Sequence, residues 1–175
     1  MLLLVYIILG IITVLICLIL IAPKKFNVQR SITVERPVAD VFDYLKHIKH
    51  QDEWSPWKKK DPNMQQEFIG NDGEVGFIAK WVGNKDVGIG EQEITIIVEN
   101  ELVQSRLRFF KPWKSESDAH IKVEEQAPNT TKVTWGVSGE NKVPSNVFFL
   151  FFNMDKTVGK DFEEGLVSLK QILEQ

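Results

Sequence analysis

The chain has 175 residues, and its first 22 carry no charge, so all 21 Lys and Arg and all 24 Asp and Glu fall in the remaining 153. A remainder of that size suits one domain with its own core and excludes both a polytopic membrane protein and a small disulfide-stapled scaffold. The net charge of −3 argues against a dedicated nucleic-acid binder, which carries a basic excess, and a single cysteine, Cys17, excludes an intrachain disulfide.

Met1 to Ala22 is interrupted only by Gly10 and Thr13. At about 1.5 Å per residue it is long enough to cross a hydrocarbon core of about 30 Å. A cleaved signal peptide is the competing reading. However, no Lys or Arg stands before the apolar run, the run exceeds the usual length, and no small-x-small site precedes Pro23. Ile16 sits where a lipoprotein signal ahead of Cys17 would need a small residue. The segment therefore reads as a retained single-pass anchor over 1–22, with a juxtamembrane linker at 23–25 and a domain over 26–175. Lys24, Lys25, Arg30 and Arg36 follow the span and place the domain on the cytoplasmic side of the cell membrane.

Phe26, Val28, Arg30, Ile32 and Val34 alternate onto one face of a strand. Pro37 then opens a helix whose Val38, Val41, Phe42, Leu45 and Ile48 recur at helical spacing. Residues 50–63, with two prolines and two tryptophans, predict a short helix or turn followed by a loop. From Met64 to Ser138, turn signals at 71–73, 83–86, 99–101, 111–112 and 127–129 separate six short antiparallel strands. Val103, Ser105, Leu107 and Phe109 share one side of a strand, as do Ala119, Ile121 and Val123, and then Val133, Trp135 and Val137. Gly88 and Gly90 mark a bulge or sheet bend rather than a phosphate loop. The run VFFLFF at 147–152 precedes a long helix that Asp155 is expected to cap, with Val158, Phe162, Leu166, Leu169 and Leu173 as its apolar stripe.

The order of these elements, together with particular residues, resembles the START-like or polyketide cyclase/dehydrase superfamily (SRPBCC). The residues concerned are Val34-Glu35-Arg36-Pro37 with Val41-Phe42, Trp54-Ser55-Pro56-Trp57 with Asp61-Pro62, Gly88-x-Gly90, Phe109 to Pro112, Thr131-x-Val133-x-Trp135, and Phe162 to Leu169. The resemblance spans about residues 26 to 175. It implies an α+β helix-grip fold, in which a bent antiparallel sheet of about seven strands wraps a long C-terminal helix and encloses a mainly apolar cavity. Lipid carriers, ligand sensors and cyclases share that fold, so the fold does not choose a function.

Five Trp and eleven Phe against two Tyr make bulky apolar groups the main resource of the domain. They divide between core and cavity. Trp135, Phe109 and Trp81 are the leading cavity-facing residues, joined by Trp54, Trp57 and Phe162. Phe148, Phe149 and Phe152 form a short helix packed on the core, a gate over the cavity mouth, or a surface dipping into the membrane. Lys58, Lys59 and Lys60 beside Trp57 read as a solvated loop, with anionic lipid as the alternative partner.

Catalytic constellations are weak. His47 and His50 are three residues apart but lack a metal-binding companion motif, and His120 is out of phase with the buried face of its strand. No cofactor and no metal are expected. Asp52, Glu53, Glu91 and Glu93 are the available carboxylates, and Glu91 and Glu93 are expected to pair with Arg106 or Arg108 on the outer surface. The leading expectation is a membrane-anchored domain that binds a hydrophobic small molecule or lipid. The alternatives are a cyclase/dehydrase-like enzyme using a buried carboxylate, and a non-enzymatic interaction or stress-related module whose cavity is filled by its own side chains.

Overall fold

The computed structural model describes residues 2–175. Helix α1 (Leu2–Ile21) projects from the domain and is exposed along most of its length; it touches the rest of the chain only in its last turn, where Leu18 and Ile19 are half-buried and Ala22 is buried. Among the described residues it is the one helix long and apolar enough to cross a membrane.

The domain begins with β1 (Lys25–Val34), followed by α2 (Val38–Leu45), a 3-10 turn at Ile48–His50, and the short helices α3 (Gln51–Trp54) and α4 (Pro56–Lys60). Six strands follow: β2 (Gln65–Ile69), β3 (Ile78–Val82), β4 (Ile89–Val98), β5 (Leu102–Lys111), β6 (Ser115–Ala127) and β7 (Thr130–Glu140). A 3-10 segment at Ser145–Leu150 leads into α5 (Met154–Leu173). The turn signals at 71–73, 83–86, 99–101, 111–112 and 127–129 all fall at the strand connections.

The seven strands form one antiparallel sheet in the order β1-β7-β6-β5-β4-β3-β2, so the first and last strands are neighbours. Register shifts at Ile89/Gly90 and Ile94/Ile96 between β4 and β5, and at Glu125/Ala127 between β6 and β7, add local twist. Alternation along the strands turns Val28, Val103, Ile121, Val133 and Trp135 inward, where they meet Phe162, Leu166 and Leu169 of α5. Val41, Phe42 and Leu45 of α2 complete this core. Full burial stabilises each such side chain by roughly 1.5–3 kcal/mol.

Two ends of helices differ from the sequence reading. Pro37 occupies the cap position before α2 rather than its first turn. Asn153, not Asp155, caps α5, with its Oδ1 accepting from the Lys156 N–H at 2.9 Å. The Asp155 carboxylate is drawn away by Arg30, whose Nη1 donates to Oδ1 at 2.8 Å while Nε donates to Glu163 at 2.6 Å. Arg30 thus shares the inward face of β1 with apolar neighbours and clamps the first turns of α5 to the sheet. A Cβ at position 159 would run into the Arg30 guanidinium, so Gly159 leaves that group room to lie on the helix.

Candidate functional site

Between α5 and the concave face of the sheet lies a cavity of about 290 Å3, closed on one side by α3 and α4. One wall is an aromatic cluster around Trp135. Its ring stacks on Phe162 with centroids 4.3 Å apart and meets Trp57 edge-on at 5.3 Å, and all three rings line the cavity. Trp54 meets Trp135 edge-on at 4.6 Å from behind; it is 1 % exposed and belongs to the core rather than to the lining. The Ser55-Pro56 break between α3 and α4 separates the two tryptophans in this way, with Ser55 Oγ accepting from the Trp57 N–H at 3.4 Å. Such edge and offset contacts satisfy the ring quadrupoles and fix the geometry of the wall.

The facing wall carries Trp81 of β3 and Phe109 of β5, edge to face at 5.7 Å. Gly90 lies between them on β4, where a Cβ would approach the Trp81 ring at 2.5 Å and the Arg108 carbonyl at 2.6 Å. The glycine pair therefore has two uses: Gly88, at φ 77°, makes the turn, and Gly90 gives the indole a seat on the sheet.

A polar chain crosses the lining between α3, α4 and β2. Gln66 Nε2 donates to Asp52 Oδ1 at 3.0 Å, and Lys58 Nζ donates to Gln66 Oε1 at 3.2 Å. Gln92, hydrogen-bonded to Ser105 at 3.3 Å, adds a polar group on the sheet side. Asp52 and Glu53 are consecutive on a helical turn rather than on a loop, so they diverge: Glu53 leaves the cavity and accepts from Tyr44 OH at 3.0 Å. Glu91 and Glu93 lie on the outer face, within 2.9 and 2.7 Å of Arg108. These cross-strand pairs are the surface arrangement expected from the alternation.

Phe148, Phe149 and Phe152 sit outside the lining, on the connection between β7 and α5. Phe148 stacks with Phe152 at 5.4 Å and meets Phe149 edge-on at 5.7 Å. Their neighbour Asn146 is fully buried and donates from Nδ2 to the carbonyls of Ile19 at 3.0 Å and Ala22 at 3.4 Å, so this segment holds the end of α1. Two basic residues of the Lys58–Lys60 run are tied to α5: Lys60 pairs with Asp161 at 2.7 Å and Lys59 donates to Ser168 at 3.2 Å. Trp113, one of the five tryptophans expected to divide between core and cavity, is instead 78 % exposed on the β5–β6 turn.

The histidines lie apart from the cavity. His47 and His50 approach edge-on at 5.4 Å, and His50 Nδ1 is bound to the Tyr44 carbonyl at 2.8 Å. No group of three His, Cys, Asp or Glu able to hold a metal occurs among the described residues. His120 faces the convex side as its phase predicts, yet it is half-buried rather than fully solvated, because Gly136 on β7 lets the ring lie against the sheet beside Gln29. Burial, reinforced by Lys122, lowers its pKa.

The profile of a family described as polyketide cyclase / dehydrase and lipid transport matches residues 25–174. The chain belongs to this family. A comparison with curated protein sequences finds no match. Solved structures of the same fold include the Aha1 dimer from Colwellia psychrerythraea, 18% identical with a TM-score of 0.58 over 85% of this chain and 96% of that one. Another is a Thermobifida fusca protein, 16% identical with a TM-score of 0.60 over 83% and 91%. A third is ginseng major latex-like protein 151 from Panax ginseng, 14% identical with a TM-score of 0.56 over 86% and 96%. At these identities the likeness concerns the helix-grip fold, which members of the polyketide cyclase/dehydrase family build as seen here.

Within that family frame, sequence reasoning missed apolar lining residues such as Met64, Phe68 and Met154, and also several polar ones. Gln66 and Gln92 alternate correctly for the inner face of their strands, and that phase was the available signal. Asn146 stands just before the apolar run 147–152 in a polar turn, Pro144-Ser145-Asn146, and offered none.

Proposed function

We propose that the domain binds a hydrophobic small molecule or single-chain lipid at the membrane to which α1 anchors it. Residues 1–22 serve as the anchor, 23–25 as the linker and 26–175 as the binding unit, on the cytoplasmic side. The observation that carries this reading is the aromatic cavity itself: Trp57, Trp135 and Phe162 face Trp81 and Phe109 across about 290 Å3. That volume is at the lower end of ligand pockets, about 300–1,000 Å3, which suits one acyl chain or a compact ring system better than a two-chain lipid. Affinity comes from apolar burial, and Asp52, Gln66 and Lys58 orient a polar end.

A cyclase/dehydrase-like reaction would need a carboxylate inside the cavity. Glu91 and Glu93 face outward, and Asp52 is engaged with Gln66, so the lining supports holding a ligand more directly than moving a proton. The interior also retains space that its own aromatic side chains leave open, which favours binding over a filled interaction module.

Titration of the full chain, reconstituted in lipid nanodiscs, with single-chain fatty acids and fused-ring hydrocarbons tests the reading through tryptophan emission. A saturable change in wild type that is lost in the Trp135→Phe, Phe109→Ala double variant is expected. Emission that no member of the panel changes, or that changes equally in the variant, would oppose it.

A further inference from the structure

The strand register gathers five connections at the edge of the sheet where α1 ends. Lys25 pairs with Glu140, Ser117 with Gly139, Phe109 with Ser115, Ile89 with Lys111, and Val82 with Ile89. The α1–β1 junction, the 61–64 connection into β2, whose Gln65 pairs with Val82, the β3–β4 turn, the β5–β6 turn and the β7–α5 connection therefore share one edge. This edge is unusually apolar at its tips: Trp113 is 78 % exposed, Phe151 81 %, Val143 59 % and Phe148 57 %.

The strand-to-strand turns at the two edges differ in charge. The strand-to-strand turns 83–88 and 111–114 on the α1 edge carry Lys85, Lys111 and Lys114 against Asp86, and the adjoining connections add Lys24, Lys25 and Lys142. Asp61, on the neighbouring 61–64 connection, is occupied by the Asn84 N–H at 2.6 Å, and Glu140 lies 4.0 Å from Lys25. The turns 70–77, 99–101 and 128–129 on the opposite edge carry Asp72, Glu74, Glu99 and Glu101 and no Lys or Arg, while the adjoining connections 35–37 and 46–50 add Glu35, Arg36, Lys46 and Lys49. The basic strand turns and exposed aromatic rings of the α1 edge are the residue types that meet an anionic headgroup layer.

We infer that this edge is a second membrane contact, with Trp113, Phe148 and Phe151 in the headgroup layer of an anionic bilayer and the cavity opening onto the bilayer between them. The inference rests on reading α1 as a span and the cavity as an apolar-ligand site. Twenty helical residues at about 1.5 Å each just cross a hydrocarbon core of about 30 Å, which puts Ile21 at its boundary. Asn146 holds the Ile19 and Ala22 carbonyls, so the Ser145–Leu150 segment lies at the same depth as the end of the span. The lining reaches this edge through Phe26 at the start of β1, Val87 in the β3–β4 turn and Met154 at the start of α5. A ligand dissolved in the bilayer would then enter without crossing water.

The test labels the full chain with an environment-sensitive fluorophore in a Cys17→Ala background, at Trp113→Cys, Phe151→Cys and, on the opposite edge, Asn129→Cys. Each chain is reconstituted in phosphatidylcholine vesicles containing anionic phosphatidylglycerol, and retention after alkaline carbonate washing confirms that α1 is inserted. Emission at 113 and 151 is expected to shift to the blue, to be quenched by headgroup-nitroxide lipid, and to show a several-fold lower iodide quenching constant than at 129. Iodide quenching equal at all three positions would overturn the inference, and so would shielding from iodide without nitroxide quenching, the signature of a protein partner or second copy. Ligand titration of unlabelled chain is scored separately. Inserted labels without ligand binding would refute the binding reading alone, and bound ligand with aqueous labels would refute the membrane contact alone.

Discussion

Trp135 lies across α5 at Gly165, where a Cβ would stand 2.8 Å from the indole Cζ3 and 3.2 Å from Pro56 Cδ. The missing side chain brings strand β7, helix α4 and helix α5 together and presses the Trp135 ring onto Phe162. The cavity wall is therefore set by a close approach of backbone to a rigid ring, not by general apolar packing.

Gly165→Ala is accordingly expected to destabilise the domain. Forcing a methyl into a packed site costs about 1–3 kcal/mol, whereas replacing glycine inside a helix returns about 1 kcal/mol. A net loss of about 1 kcal/mol in chemical denaturation, accompanied by altered tryptophan emission, is the expected result. A full gain from helix propensity with unchanged emission would contradict the close approach of Trp135 to the helix.

Arg30 supplies the second constraint on α5, through two carboxylates about two turns apart. Its planar fork engages both Asp155 and Glu163, a geometry that a lysine ammonium does not reproduce. Arg30→Lys should therefore lower Tm nearly as much as Arg30→Gln. Arg30 also holds the Asp155 carboxyl below its ordinary pKa. The stability linked to that shift is present above the unfolded value, about 3.9, and is lost as pH falls through the folded value. Wild type should show this acid loss more steeply than Arg30→Gln; parallel Tm profiles below pH 5 would contradict the clamp.

His120 has the opposite charge chemistry with the same sign of pH dependence. Burial against Gly136 lowers its pKa, so the unfolded chain binds the proton more readily than the folded one. The associated stability is complete above the unfolded value, about 6.5, and declines as pH falls through the folded value. His120→Gln should flatten the Tm profile between pH 7 and 5. A profile with the same slope as wild type would place the histidine outside that transition.

Much of this architecture was legible in the residues. The period-two alternation of 103–109, 119–123 and 133–137 identified the inner face of the sheet, because one side of each strand must be dry. The stripe from Val158 to Leu173 likewise identified the gripped helix. What escaped was decided by partners distant in sequence. Arg30 sits in phase with apolar neighbours, and its role depends on Asp155, Gly159 and Glu163, more than a hundred positions away. Trp54 and Trp57 are equivalent by composition, and the Ser55-Pro56 break determines which of them reaches the cavity. Trp113 carries the same apolar signal as the buried tryptophans, but its turn stands at the edge of the sheet where α1 ends.

The cavity is central to the account, and its occupancy can be measured directly. Ala119 lines it and is nearly buried, so Ala119→Leu fills space while adding no polarity. Native mass spectrometry of the full chain ejected from nanodiscs, after incubation with single-chain fatty acids and fused-ring hydrocarbons, compares the two proteins. The account predicts a one-to-one adduct on wild type that is lost or strongly reduced in a folded Ala119→Leu variant. No adduct from any compound, or an equal adduct on both proteins, would contradict it.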